Sequence, residues 1–143
     1  MTGPGPDIRK RSKEMDMNVK YSGGMKFSSL IRGHQVEVDL PETKGGENSA
    51  PTPPELCVFS LGTCIGVYAV SYLKTAKLDP EGVAIDLDWT YSEDKKRIAR
   101  IKVDIEVPNA DSGRRKKALI AAVRQCVIHN TLKEEPDISI SVK

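Results

Sequence analysis

Apolar residues recur at every second position in several stretches of the chain. Met25, Phe27, Ser29 and Ile31 alternate with Lys26, Ser28, Leu30 and Arg32, and Val36, Val38 and Leu40 alternate with Gln35, Glu37 and Asp39. A period of two marks half-buried strands, and Gly33-His34 between the runs predicts a tight hairpin turn. Asn18 to Tyr21 adds a short strand ahead of Gly23-Gly24. The clearest alternation sets Val83, Ile85, Leu87, Trp89 and Tyr91 against Asp86, Asp88, Thr90 and Ser92. After a charged turn, Ile101, Val103, Ile105 and Val107 answer against Arg100, Lys102, Asp104 and Glu106. The pattern predicts a long antiparallel hairpin with one wet face, ended by Pro108. Ile138, Ile140 and Val142 predict a closing strand.

Between these blocks the period changes. From about Pro53 to Leu78 apolar residues cover most of a helix's circumference, as in a buried helix. Thr52 suits its cap, Pro53 and Pro54 its first turn, and Glu55 the positive end of its dipole. Lys74 and Lys77 sit near its end, and Asp79-Pro80 stops it. Gly62 and Gly66 leave room for another backbone. A second helix, about Asp111 to Cys126, shows the stripe Leu119, Ala122, Val123 and Cys126, and a short helical piece continues from Val127 to Lys133. The segment between Leu40 and Pro53 is a Gly- and Pro-rich polar loop, of a length that is functional or disordered. The fold class is α+β: antiparallel strands whose apolar faces cover two helices. A chain of this size with one nearly all-apolar helix hides it best by pairing with a second copy, so a homodimer is expected.

Composition narrows the partners. The chain has 143 residues, enough for one domain with a sizeable core, and its formal charge of +2 directs it to neither nucleic acid nor membrane. The apolar run around Val67 to Leu73 is too short and interrupted to span a bilayer. Residues 1–14 read as a disordered tail or an added remnant and 15–143 as a single domain, with Met15 or Met17 as a start. They lack the apolar segment of a signal peptide, so the cytoplasm is expected. Arg114 to Lys117 reads as a solvated helix face, since no aromatic residue accompanies it.

The chemistry lies in three cysteines. Cys57 and Cys64 are seven residues apart, so they share a helix face but stand about 10 Å apart along the axis, too far for a disulfide. Cys126 ends the second helix's stripe and points into the core, opposite either Cys64 or Cys57. A free cysteine is by composition a small hydrophobe, and becomes reactive beside a cation or a helix N-terminus. Cys64 lies too deep in its own helix to use that helix's dipole and needs positive charge from elsewhere. Cys57, Cys64, Cys126 and His129 are soft metal ligands, but the first two are badly spaced for structural zinc. No metal and no cofactor is expected.

PTPPELCVFSLGTC resembles the helix-cysteine segment of the OsmC/organic hydroperoxide resistance (Ohr) family. GHQVEVDLPETKGG and CVIHNTL resemble that family's glycine-histidine strand and second cysteine segment, and the likeness covers roughly residues 17 to 143. The resemblance implies an OsmC-like fold, with antiparallel sheets wrapped around two central helices in an intertwined homodimer and sites at the subunit interface. It also implies a thiol peroxidase, in which Cys64 attacks the peroxide and Cys126 resolves the sulfenic acid as a disulfide. An arginine, for which Arg32 is the nearest candidate, activates the thiol, and a glutamate, here Glu55, orients the arginine. A lipoyl protein, thioredoxin or small thiol supplies electrons. The chain departs from the pattern in places. Glu55 stands one residue later than the classical glutamate, where this chain has Pro54. It also lies on the opposite azimuth from Cys64. Val127 replaces the common proline, which changes the helix join, and Cys57 is additional. A non-catalytic dimer binding a small apolar or thiol-bearing ligand is the alternative expectation.

Overall fold

A computed structural model describes residues 16–110 and 112–143, so the expected tail lies outside the described residues. The chain divides into two compact units, one ending at Pro53 and the other starting at Pro54.

The first unit is a three-stranded antiparallel sheet in the order β1-β2-β3, with β1 Lys20–Tyr21, β2 Phe27–Ile31 and β3 His34–Val38. Ile31 pairs with His34, so the hairpin turn is Arg32-Gly33, one residue earlier than the sequence pattern suggests. Both turn residues have positive φ, 49° at Arg32 and 85° at Gly33. This is the mirror-image turn whose twist matches the strands. The polar loop after β3 is ordered around one carboxylate. Asp39 is fully buried and accepts hydrogen bonds from the backbone N–H groups of Leu40, Glu47 and Ser49 and from the Ser49 hydroxyl. These donors stabilise the anion and hold the Asp39 carboxyl down at about 2; the Ser49 hydroxyl contributes most.

The second unit is built on α1, Pro53–Thr75. Its buried residues, including Val58, Leu61, Ile65, Ala69 and Leu73, follow the helical period along one side. The helix is shorter than expected because it closes in a Schellman motif. Lys77 takes a left-handed φ of 59°, the Lys77 N–H reaches the Lys74 carbonyl, and the Leu78 N–H reaches the Leu73 carbonyl. At 23 residues α1 is long and apolar enough to cross a membrane, contrary to the reading of its apolar run. In this chain its buried side is core, packed by strand and helix side chains. On the other side Phe59 and Val67 are each 63% exposed.

β4, Ala84–Tyr91, and β5, Ile98–Glu106, form the long antiparallel hairpin that the alternation predicts, with Ile85 opposite Ile105 and Leu87 opposite Val103. The register shifts past Thr90, leaving Ala99 as a bulge. Its apolar face covers α1, but the approach is made by side chains and not by a backbone. A Cβ on Gly62 would lie 2.5 Å from Leu87 Cδ1. α2 spans Ser112–Val123 and α3 spans Val127–Lys133. α2 stops short of Cys126, which begins the next helix instead of ending this one. The closing strand does not form. Residues 134–143 have no regular structure, and Ile138, Ile140 and Val142 are exposed, because no strand among the described residues pairs with them.

The architecture is therefore α+β, with two small antiparallel sheets and three α-helices among the described residues. The Asp39 carboxyl sits lower in the folded chain than in the unfolded one, so its contribution is present above about pH 4 and is lost as the pH falls toward 2. Asp39→Asn should therefore be less stable than wild type near neutral pH, and the gap should narrow through that acid window. Urea unfolding at several pH values measures it.

Candidate functional site

Two helix geometries bring two sulfurs together. Cys64 is half-buried on α1, on the side that faces the core. The stripe Leu119 and Val123 on α2 leads into the same core, and the chain then turns sharply. Cys126 N-caps α3, its Sγ accepting from the His129 N–H at 3.4 Å, and is completely buried. There it sits beside Cys64, and each thiol shifts the acidity of the other. Of the two partners the sequence left open, Cys64 faces Cys126, while Cys57 is exposed. All three thiols are free.

The environment drives the pair apart in acidity. Burial pushes the Cys64 thiol up, but the Cys126 hydrogen bond and the backbone N–H groups of Ile128 and Val127 outweigh it, so the net shift is downward. At Cys126 burial again acts first, and donating to Cys64 adds to it. The N–H groups of His129 and Ile128 offset this only in part, leaving that thiol raised. The lowest-energy charged state is a Cys64 thiolate held by a protonated Cys126.

The positive end that Cys64 needs therefore comes from the first turn of α3, whose N–H groups have no helical acceptors. This is what the sequence reading missed. Val127 is more than a change of helix join, because a proline there would have no N–H to offer. The signal was legible in part: a cysteine just ahead of a short helix is placed like a cap.

The other expected residues lie elsewhere in their units. Glu55 is exposed in the first turn of α1, nine residues and about 13 Å of helix rise before Cys64. Arg32 is exposed in the hairpin turn of the first unit.

A cleft of about 560 Å³ lies between α1, β5, α2 and α3, and neither Cys64 nor Cys126 lines it. Leu61, Ile65, Ile101, Val103 and Val123 give it apolar walls, and Cys57 and His129 also line it.

A family model described as OsmC-like protein matches residues 46–141. No curated protein sequence matches the chain. Among solved structures, a candidate osmotic stress induced and detoxification response protein from Psychrobacter arcticus shares the fold with a TM-score of 0.73 and 17% identity, over 80% of this chain and 85% of the other. An organic hydroperoxide resistance protein OsmC from Legionella pneumophila gives a TM-score of 0.56 at 16% identity, over 82% and 89%. A candidate organic hydroperoxide resistance protein from Vibrio cholerae, with captopril bound in one of its active sites, gives 0.63 at 13% identity, over 84% and 85%. At these identities the structural likeness establishes the fold alone.

Val127→Pro tests the backbone donor cleanly. Proline is welcome at a first helical position, and Cys126, with φ −55° and ψ 124°, already has the backbone that precedes proline. The variant should fold and keep α3, while the alkylation midpoint of Cys64 rises. An unchanged midpoint would show that the N–H contributes nothing. Alkylation by iodoacetamide across pH, followed by peptide mass, reads it.

Proposed function

Because the chain belongs to the OsmC-like family, we propose that it is a thiol-dependent peroxidase reducing organic hydroperoxides, or hydrogen peroxide. The observation that carries the reading is that half-buried Cys64 packs against the core that holds buried Cys126, in surroundings that lower the first thiol and raise the second. Proteins of the same fold named for hydroperoxide resistance support its direction.

The steps follow from that pairing. The Cys64 thiolate attacks the outer peroxide oxygen and the O–O bond breaks. Cys64 becomes a sulfenic acid, and the departing alkoxide takes the Cys126 proton to leave as an alcohol. Cys126, now a thiolate, attacks the Cys64 sulfur. The S–O bond breaks, water leaves with one further proton, and a disulfide forms. Two thiols and one hydroperoxide thus give one disulfide, one alcohol and one water. A dithiol donor (a lipoyl protein, thioredoxin or small thiol) restores the pair, which suits a reducing compartment such as the cytoplasm. Arg32 and Glu55 keep the roles of activating cation and its orienting carboxylate in this proposal, as the family resemblance assigns them.

The active form is a homodimer in this reading. Phe59 and Val67 are bare on α1, and burying each stabilises by about 1.5–3 kcal/mol. Sedimentation at twice the 15.7 kDa chain mass is the expected result, and a monomer at micromolar concentration would contradict it.

A second reading is a non-catalytic dimer that binds a small apolar or thiol-bearing ligand between its subunits. The captopril complex of the Vibrio cholerae protein favours it, since captopril is itself a thiol. One equivalent of cumene hydroperoxide separates the two. The peroxidase loses two thiols, at Cys64 and Cys126, and Cys64→Ser slows peroxide consumption roughly 100-fold or more. If both thiols survive, or the variant consumes peroxide at the wild-type rate, the binding module remains.

A further inference from the structure

Cys57 takes no part in the thiol pair, yet it is exposed and lines the cleft between α1, β5, α2 and α3. The cleft has a charge bias. Arg124 and Lys133 line it, and among the described residues no carboxylate does. Neither of these two cations is ion-paired among the described residues. Arg100 borders the cleft too, but it belongs to the wet face of β5, beside Asp88. His129 stands in the same wall, with its Nδ1 atom sealed from solvent and without a hydrogen-bond partner. Apolar walls, two unpaired cations and a free thiol therefore meet at one cavity.

We propose that Cys57 is a thiolation site, and that the cleft recognises a small disulfide bearing carboxylates. The cations hold the carboxylates while the thiol exchanges. The Cys57 thiolate attacks one sulfur of the ligand, and the ligand's S–S bond breaks. A new S–S bond joins Cys57 to the attacked half, and the electron pair leaves with the other half as a thiolate. Cys57 is oxidised and the departing half is reduced, with the small disulfide as sole oxidant. The reaction leaves the peroxide-reactive pair alone, since Cys57 stands two helical turns, about 10 Å, from Cys64. It is also compatible with a dimer. Cys57 lies about 160° around α1 from Phe59 and about 80° from Val67, off the centre of the bare face.

The test uses the reduced full-length protein with oxidised glutathione and, separately, uncharged bis(2-hydroxyethyl) disulfide. Peptide mass locates the adduct, and rates are normalised to the same reactions on unfolded protein. The expected result is a single glutathione adduct at Cys57, with a charged-to-neutral rate ratio of about 10, the order that a few exposed ion pairs supply. The double variant Arg124→Gln and Lys133→Gln should bring the ratio near one, with Cys64 alkylation unchanged as evidence of folding, and high salt should do the same to wild type. A ratio near one in wild type overturns the proposal, as does glutathione found only on Cys64 or Cys126. The readout is an adduct on Cys57 and not peroxide turnover, so this inference and the peroxidase reading fail separately.

Discussion

One pairing organises the chemistry of this chain: the Cys126 thiol set against the sulfur of Cys64. The same contact acts on its two partners with opposite sign. It favours charge on Cys64 and holds the proton on Cys126, so two side chains of one type acquire different properties. Burial alone would have raised both. What tips Cys64 the other way is Cys126 first, and after it the N–H groups of Ile128 and Val127 at the start of α3.

That contact depends on a break in the chain. Had α2 run on through Cys126, the N–H groups of residues 127 and 128 would be spent on carbonyls four residues earlier. The stop at Val123 and the restart at Val127 release them and leave Cys126 as the cap. The rest of the unit holds α1 against this corner. Leu87 sits where Gly62 leaves out a Cβ, and the β4–β5 hairpin covers the helix from Ile85 to Leu87 on one strand and from Ile101 to Ile105 on the other. The two sides of α1 consequently differ. The side of Cys57, Leu61 and Ile65 faces the cleft and the chain's own core, and the side of Phe59 and Val67 is bare.

The first unit uses the same economy of backbone donors. A buried carboxylate at Asp39 is met by N–H groups and a hydroxyl, and it orders a loop whose composition suggests none. In both units amides that a turn has left over favour the charged form of a side chain, joined at Asp39 by the Ser49 hydroxyl and at Cys64 by the Cys126 thiol.

Much of the fold was legible because it is written in period. Alternation located four of the strands and the long hairpin, and the helical stripe located α1, α2 and α3, since burial of one face demands those spacings. Boundaries were less legible. Lys77 in a left-handed cap ended α1 early, and Arg32 took a turn position that glycine or asparagine usually fills. The closing run Ile138, Ile140 and Val142 has a strand's pattern without a strand's partner. A pattern of side chains cannot supply the backbone groups that a ladder needs.

The sequence by itself determined that three sulfurs exist, that Cys57 and Cys64 cannot join along one helix, and that Cys126 points inward. Only the tertiary structure decided that Cys126 meets Cys64, that Cys57 turns to a cleft with two unpaired cations, and that Val127 offers an N–H where proline has none. The reason is physical. Local spacing fixes azimuth and rise on one helix. The acidity of a thiol depends on which donors from distant segments reach it within hydrogen-bond range, and that is settled only when the helices pack.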